Sequence, residues 1–369
     1  MRKSSIPKLP AFNTIGFKEK QNVLKALGRP LSGYLGGQNS TGEFIKDLER
    51  RYGPRSIPCN SATSGLLAAC EAVGVRRGDI VWTTPFSMSA TAACAAQLGA
   101  SIQFIDIEPK RFGMDPENIP ERPRNLSAVI IANIFGHPAY LREWAKWCEE
   151  NEVPLIEDCA QSPIAIDRGL MAGWVGDIGV FSFNVHKHIQ AGEGGMIVAK
   201  DDALAARMRN FINHGELDGD RPGLNLRMTE VTAAIVCAQL DKADKIMAGR
   251  REVAMKMTEI FDKIPWVMPS REDNGCISSW YVWSARTSEK ILVPFVEKLN
   301  KAGLPIGIGY QNLTHIFDPS QRCLVTEEIN KTMFTFEVCA YDPNARHWEA
   351  IAHQVAKAAN EIEMEMYLP

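Results

Sequence analysis

From about residue 50 onward, hydrophobic positions alternate between short apolar runs and longer stretches with helical spacing. The short runs Asp79 to Thr84, Ser101 to Ile107, Ser127 to Phe135 and Val153 to Glu157 read as strands. Ser61 to Val73, Ala90 to Leu98 and Leu141 to Asn151 read as helices, and an amphipathic helix candidate precedes them at Glu43 to Arg51. Strands that alternate with helices of about 10 to 15 residues predict parallel pairing with both sheet faces covered. The rhythm changes near Gly176. Ile178 to Phe183 and Gly195 to Ala199 are short strand-like runs joined by a lysine and glycine segment, and helices then dominate from Asp201 to Phe211 and from Glu230 to Ile246. Near Arg250 a second unit begins, with helices Glu252 to Ile264, Leu292 to Ala302 and Trp348 to Met366 and a strand at Trp280 to Arg286. The expectation is an α/β protein. Residues 1–248 would form a large three-layer α/β/α domain with a mostly parallel sheet, and residues 249–369 a smaller α+β domain.

Charge and cysteine content remove several function classes. With 41 basic and 44 acidic side chains there is no global field to attract nucleic acid or an anionic membrane. The nine cysteines are odd in number and never spaced as CxxC, which argues against a disulfide framework or a zinc site and for a reducing compartment. No run of about 18 apolar residues occurs, and MRKSSIPKLPAFN lacks an apolar segment behind its basic residues. A cytoplasmic protein with no metal, nucleic-acid or membrane partner is expected.

Two residues stand out chemically. Lys187 lies in FSFNVHKHIQAGEGG, between a strand-like run and a glycine loop, and Asp158 ends the apolar run of VPLIEDCAQS. Singly, each is commonplace. Together, an amine that can meet an aldehyde and a carboxylate that can face a protonated ring nitrogen are what pyridoxal phosphate requires. At about 4 Å and an effective dielectric near 20, the ion pair with the ring nitrogen amounts to about 4 kcal/mol before desolvation. NSATSGL (Asn60 to Leu66) places small and hydroxyl residues at a helix start, where free amides suit a phosphate dianion. Ser182, between Phe181 and Phe183, directs its hydroxyl opposite to the two rings.

In that order, phosphate turn, strand-end Asp with Gln161 after it, FSF, Lys and GEGG, these motifs resemble the DegT/DnrJ/EryC1/StrS family of pyridoxal phosphate enzymes. The segments NSATSGLLAACEAVGVRRGDIVWTTPFSMSATAACAAQLGASIQFID, VPLIEDCAQS, GDIGVFSFNVHKHIQAGEGGMIVAKD and GLNLRMTEVTAAIVCAQL carry the likeness over residues 10 to 260. The resemblance implies a fold type I aminotransferase that converts a keto sugar, nucleotide-linked, to an amino sugar with glutamate as donor. It implies Lys187 as the Schiff base lysine, Asp158 as the pyridinium partner and Gln161 near the ring hydroxyl. Ala62, Thr63 and Ser182 would hold the phosphate, and Asn225 would reach the phosphate of a neighbouring subunit, making a homodimer with shared sites. Met88 stands in TTPFSM where the family stacks an aromatic ring, and Cys159 replaces a common alanine. IGIGYQNLTHIFD, with Gly309 before Tyr310, replaces the family's His-Tyr-Pro-like stretch. Gly36 in the GYLGG loop, His186 and Tyr310 are the candidate substrate contacts. A sugar dehydratase or lyase using the same cofactor, and a non-catalytic homologue that binds the cofactor or a sugar nucleotide, are the alternatives.

Overall fold

The computed structural model describes residues 14–29, 31, 42–217, 219, 222–338 and 348–366. Helices α1 (Phe17–Leu27) and α2 (Glu43–Tyr52) precede the alternating part: β1 (Ser56–Cys59), α3 (Ala62–Ala72), β2 (Ile80–Thr83), α4 (Ala90–Gln97), β3 (Ser101–Phe104) and β4 (Leu126–Ala132). After these come α5 (Leu141–Glu150), β5 (Leu155–Asp158), the small strands β6 (Ile166–Asp167) and β7 (Leu170–Met171), and then β8 (Ile178–Ser182), β9 (Gly195–Ala199) and α6 (Asp202–Ile212). The remainder is α7 (Glu230–Leu240), α8 (Ala243–Phe261), β10 (Met268–Pro269), β11 (Cys276–Ile277), β12 (Val282–Arg286) and α9 (Glu289–Lys301). It closes with β13 (Ile306–Ile308), α10 (Thr314–Phe317), α11 (Leu324–Thr332), β14 (Met333–Glu337) and α12 (Trp348–Met366).

Among the described residues seven strands form the main sheet, in the order β1-β9-β8-β5-β4-β2-β3. Pairing is parallel from β8 across to β3, and β9 runs opposite to both of its neighbours. The reversal has a direct cause: β8 and β9 are joined by residues 183–194 without a crossover helix, so they must pair as a hairpin. The hairpin loop therefore lies at the edge where the parallel strands end, which is the edge where open α/β sheets bind ligands. Helix α3 is pressed close against β8 and β9. A Cβ built on Gly65 would fall 2.8 Å from Val180 Cγ1, and one on Gly195 would fall 2.6 Å from the Ser61 carbonyl carbon. Glycine at both positions lets the N-terminus of α3 settle over the start of β9.

A second, four-stranded sheet, β10-β12-β14-β13, packs with α8, α9 and α12 around Phe261, Trp283, Phe295 and Phe334. Three sequence expectations differ here. The helix read over Glu230 to Ile246 is two helices, broken at Asp241 and Lys242. Asp241 pairs with Arg51 at 2.7 Å and Lys242 with Glu19 at 2.6 Å, so contacts to α1 and α2 override local helix preference. Helix α8 then runs without interruption through residues 248 and 249. Strands β13 and β14 are absent from the sequence reading, and the strand read from Trp280 starts two residues later because Trp280 is left-handed, with φ +52°. Among the described residues, no helix is long and apolar enough to cross a membrane.

Candidate active site

A cavity of about 450 Å³ opens at the C-terminal edge of the parallel strands. The loops beyond the strand ends supply much of its lining: Ser61, Ala62 and Thr63 after β1, Ser87 and Met88 after β2, and Asn133 and Ile134 after β4. Asp158, Ala160 and Gln161 come from the end of β5, and Ser182, Asn184, His186, Lys187 and Glu193 from the hairpin. Tyr281 enters from the start of β12.

Asp158 is buried. Its Oδ2 accepts from Thr91 Oγ1 at 2.7 Å and its Oδ1 from the Ala160 amide at 3.0 Å. Burial pushes its pKa up, against the pull of those two bonds and of the Lys187 charge. Lys187 is buried too. Loss of water lowers its pKa to about 8, with Arg250 adding repulsion and Asp158 opposing both. Its Nζ lies 4.4 Å from the centroid of the Tyr281 ring. The loop that carries it closes through Phe183 N to Gly194 O and Ala191 N to Phe183 O, at 2.9 and 2.8 Å, with Gly192 at φ +83° making the return.

The Ser61 hydroxyl caps α3 by accepting from the Ser64 amide at 3.1 Å. The next amides, of Ala62 and Thr63, belong to the first turn, which has no intrahelical acceptors. Ser182 is half-buried at the end of β8, opposite Gly195 in the hairpin register. Gln161 has a fixed orientation. Its Oε1 accepts from the Phe135 amide at 2.8 Å, and its Nε2 donates to the Tyr310 hydroxyl at 2.9 Å.

Ala62, Thr63, Met88, Asp158, Gln161, Ser182, His186 and Lys187 therefore share one cavity. Met88 is 51% exposed and sits at the open rim. Tyr310 stands one layer further back, behind Gln161, with its ring against Phe86 and Phe135 and its pKa pushed up to about 12 by burial. Asn225 is exposed on a segment bridged to Asn213 and does not line the cavity. Gly36 lies outside the described residues. His188 does not line the cavity and is held neutral by burial, its Nε2 donating to Ser279 O at 2.9 Å.

Sequence reasoning missed Thr91, Asn133, Asn184, Glu193 and Tyr281. Thr91 had a usable signal, since a hydroxyl in the first turn of the helix after β2 falls at the same sheet edge as Asp158. Tyr281 had none, because nothing local ties it to Lys187.

The fold is that of fold type I aminotransferases. It superposes on the crystal structure of the aminotransferase TlmJ from Streptoalloteichus hindustanus with a TM-score of 0.88, covering 96% of this chain and 100% of that one at 22% identity. Residues 32–340 match the model of the DegT/DnrJ/EryC1/StrS aminotransferase family, and the chain belongs to that family. It is 29% identical over 260 residues to GDP-perosamine synthase of Vibrio cholerae, spanning 68% of this chain and 71% of that protein. To L-glutamine:2-deoxy-scyllo-inosose aminotransferase of Streptomyces fradiae it is 28% identical over 301 residues, 75% of this chain and 70% of that protein. The protein is thus an aminotransferase dependent on pyridoxal 5'-phosphate. The cavity suits that cofactor. It combines a buried carboxylate, a buried amine, and the N-terminal end of α3 at Ser61, Ala62 and Thr63, where first-turn amides lack intrahelical acceptors.

Proposed function

We propose that this enzyme converts a keto sugar, carried on a nucleotide, to an amino sugar, with glutamate as amino donor and Lys187 and Asp158 as the working pair. The observation that carries the reading is a buried lysine with a pKa near 8 in the same cavity as a buried carboxylate. Pyridoxal phosphate supplies, when bound, a conjugated ring that takes up the electron pair left when a proton leaves the substrate carbon. With the cofactor bound, Lys187 would hold it through its aldehyde, and when free the Nζ would take the substrate proton and return it at the former aldehyde carbon. A pKa near 8 suits this work, because part of the amine is neutral at physiological pH while its conjugate acid still gives the proton up.

Asp158 would keep the ring nitrogen of the bound cofactor protonated. Thr91 and Ala160 hold the carboxylate at fixed orientation, so that its remaining lone pairs face the cavity. The Ala62 and Thr63 amides and the Ser182 hydroxyl bind the phosphate, where a helix N-terminus favours negative charge. Gln161 would offer its remaining amide hydrogen to the ring hydroxyl, and Met88 would pack its thioether against the ring. His186 on the rim meets the sugar, while Tyr310 reaches it through Gln161.

The active unit is a cytoplasmic homodimer. Asn225 is exposed and set apart from its own cavity, as a donor to a partner's phosphate must be. The exposed apolar side chains of Met88, Ile164, Met171, Trp174, Val185 and Leu224 supply surface that a second copy would cover.

The test is the visible spectrum of purified protein with pyridoxal phosphate, before and after glutamate, followed by borohydride trapping and peptide mapping. A shift to the pyridoxamine form, with the trapped cofactor on Lys187, is expected. A lysine-bound spectrum that ignores glutamate and other amino donors would favour a dehydratase or an inactive homologue, and trapping elsewhere than Lys187 would sink the assignment.

A further inference from the structure

Tyr281 reaches the cavity from the C-terminal half of the chain along backbone in uncommon conformations. Trp280 before it has φ +52°, and Phe135, whose carbonyl accepts the Tyr281 N–H at 2.8 Å, has φ +57°. Non-glycine residues in this region are strained, and they gather where function holds them. The Ser279 amide and the Ser278 hydroxyl each donate to Gly136 O at 2.9 Å, and a Cβ on Gly136 would fall 2.6 Å from Trp280 N. On the far side Arg250 donates to the Tyr281 carbonyl at 3.4 Å, and the His188 ring packs 5.8 Å away. The outcome of this clamping is a ring with the Lys187 Nζ 4.4 Å from its centroid.

We propose that Tyr281 is a positioning residue for Lys187: its ring holds the ammonium form of that amine in place while it carries the proton taken from the substrate. The inference rests on the reading of Lys187 as the proton-carrying amine. The proton passes from the substrate carbon to Nζ and on to the former aldehyde carbon, across the nitrogen that joins the two, its electron pair staying with the substrate and cofactor, so no oxidant is needed. A cation within about 6 Å of a ring centroid is attracted to it, most strongly when both are desolvated, and a neutral amine is not. The ring therefore offsets part of the burial and Arg250 repulsion that disfavour the charged amine, alongside Asp158. The other titratable groups nearby are His188, neutral behind Tyr281, and His186 and Glu193 on the cavity rim.

The experiment uses the full chain freed of cofactor, with pyridoxal phosphate added over a pH series. The rate of gain in visible absorbance is read at each pH, and the captured residue is identified by borohydride trapping and peptide mapping. Tyr281→Leu and Tyr281→Met, both without a ring, should move the midpoint of the rate profile down by about one pH unit. Tyr281→Phe, which keeps the ring, should stay within about 0.3 unit of the parent. In turnover the ring-less variants should lose kcat by about tenfold with donor KM within about twofold. Circular dichroism melting confirms folding in each. Unmoved midpoints in folded ring-less variants would overturn the proposal, as would a Tyr281→Phe shift as large as theirs. Trapping of the parent enzyme away from Lys187 would show that the underlying reading had failed instead.

Discussion

Glu157 and Asp158 are consecutive residues of β5, both buried, and they serve opposite layers of the molecule. Glu157 accepts from the amides of Gly173, Val175 and Gly176 at 2.8, 2.8 and 2.7 Å, folding that loop onto the sheet. Asp158 accepts one hydroxyl and one amide and turns its remaining capacity to the cavity. Burial pushes both pKa values up, and hydrogen bonds pull both down. Burial and charge thus do not separate scaffold from chemistry; the difference lies in where the lone pairs go. A carboxylate met on three sides by backbone amides is fixed structure, whereas one bonded only enough to be aimed keeps acceptor capacity for a ligand.

The sharpest way to break the comparison is to neutralise each carboxylate in turn. Asp158→Asn should lose about 10³-fold in turnover, the equivalent of an ion pair of about 4 kcal/mol at an effective dielectric near 20. Its melting temperature should not fall, since an ionised buried carboxylate with a raised pKa is itself costly to the fold. Glu157→Gln should behave in the reverse sense. The amide oxygen can still serve Val175 and Gly176, but the amide nitrogen meets the Gly173 N–H as a second donor, for a stability loss of about 1–3 kcal/mol. Turnover per folded molecule should stay within about threefold of the parent, because nothing in the cavity has changed. Steady-state rates with thermal melts on both variants decide it. A Glu157→Gln enzyme that stays stable but inactive would mean the two carboxylates are coupled through the strand.

Asp158 was legible in the sequence, and the division of labour with Glu157 was not. Every residue of LIED is buried, so no alternation of apolar and polar positions reveals which side chain faces which layer. Lys187 was legible because FSF and GEGG frame it within one short hairpin. The alternating strands and helices from α3 to β9, the small strands β6 and β7 apart, came through for the same reason, as local periodicity is strong there. What failed was non-local. The break between α7 and α8 depends on α1 and α2, met more than 180 residues earlier in the chain. Strands β13 and β14 are short, and Met333–Glu337 follows α11 with no turn signal between them. Tyr281 depends on the left-handed Trp280 and on a carbonyl from the loop after β4, and Tyr310 on an aromatic cluster drawn from three distant segments.

The smallest expected effect tests whether aiming alone matters. Thr91 is buried in the first turn of α4, with its Oγ1 2.7 Å from Asp158 Oδ2 and 2.7 Å from Ser87 Oγ. An ionised carboxylate only accepts, so Thr91 donates to Asp158 and Ser87 must donate to Thr91. Thr91→Val keeps the shape and removes that relay, leaving the Ala160 amide as the bond that holds the carboxylate. The expected loss in kcat is about tenfold, below the range for a hydrogen bond to a charged group because one orienting bond survives. Thr91→Ser restores the hydroxyl and should recover to within about threefold, which a purely steric role for the side chain would not require. Steady-state turnover of the two variants beside the parent separates these cases. If valine turns over as fast as threonine, the Ala160 amide alone orients Asp158, and the carboxylate differs from Glu157 only in facing the cavity.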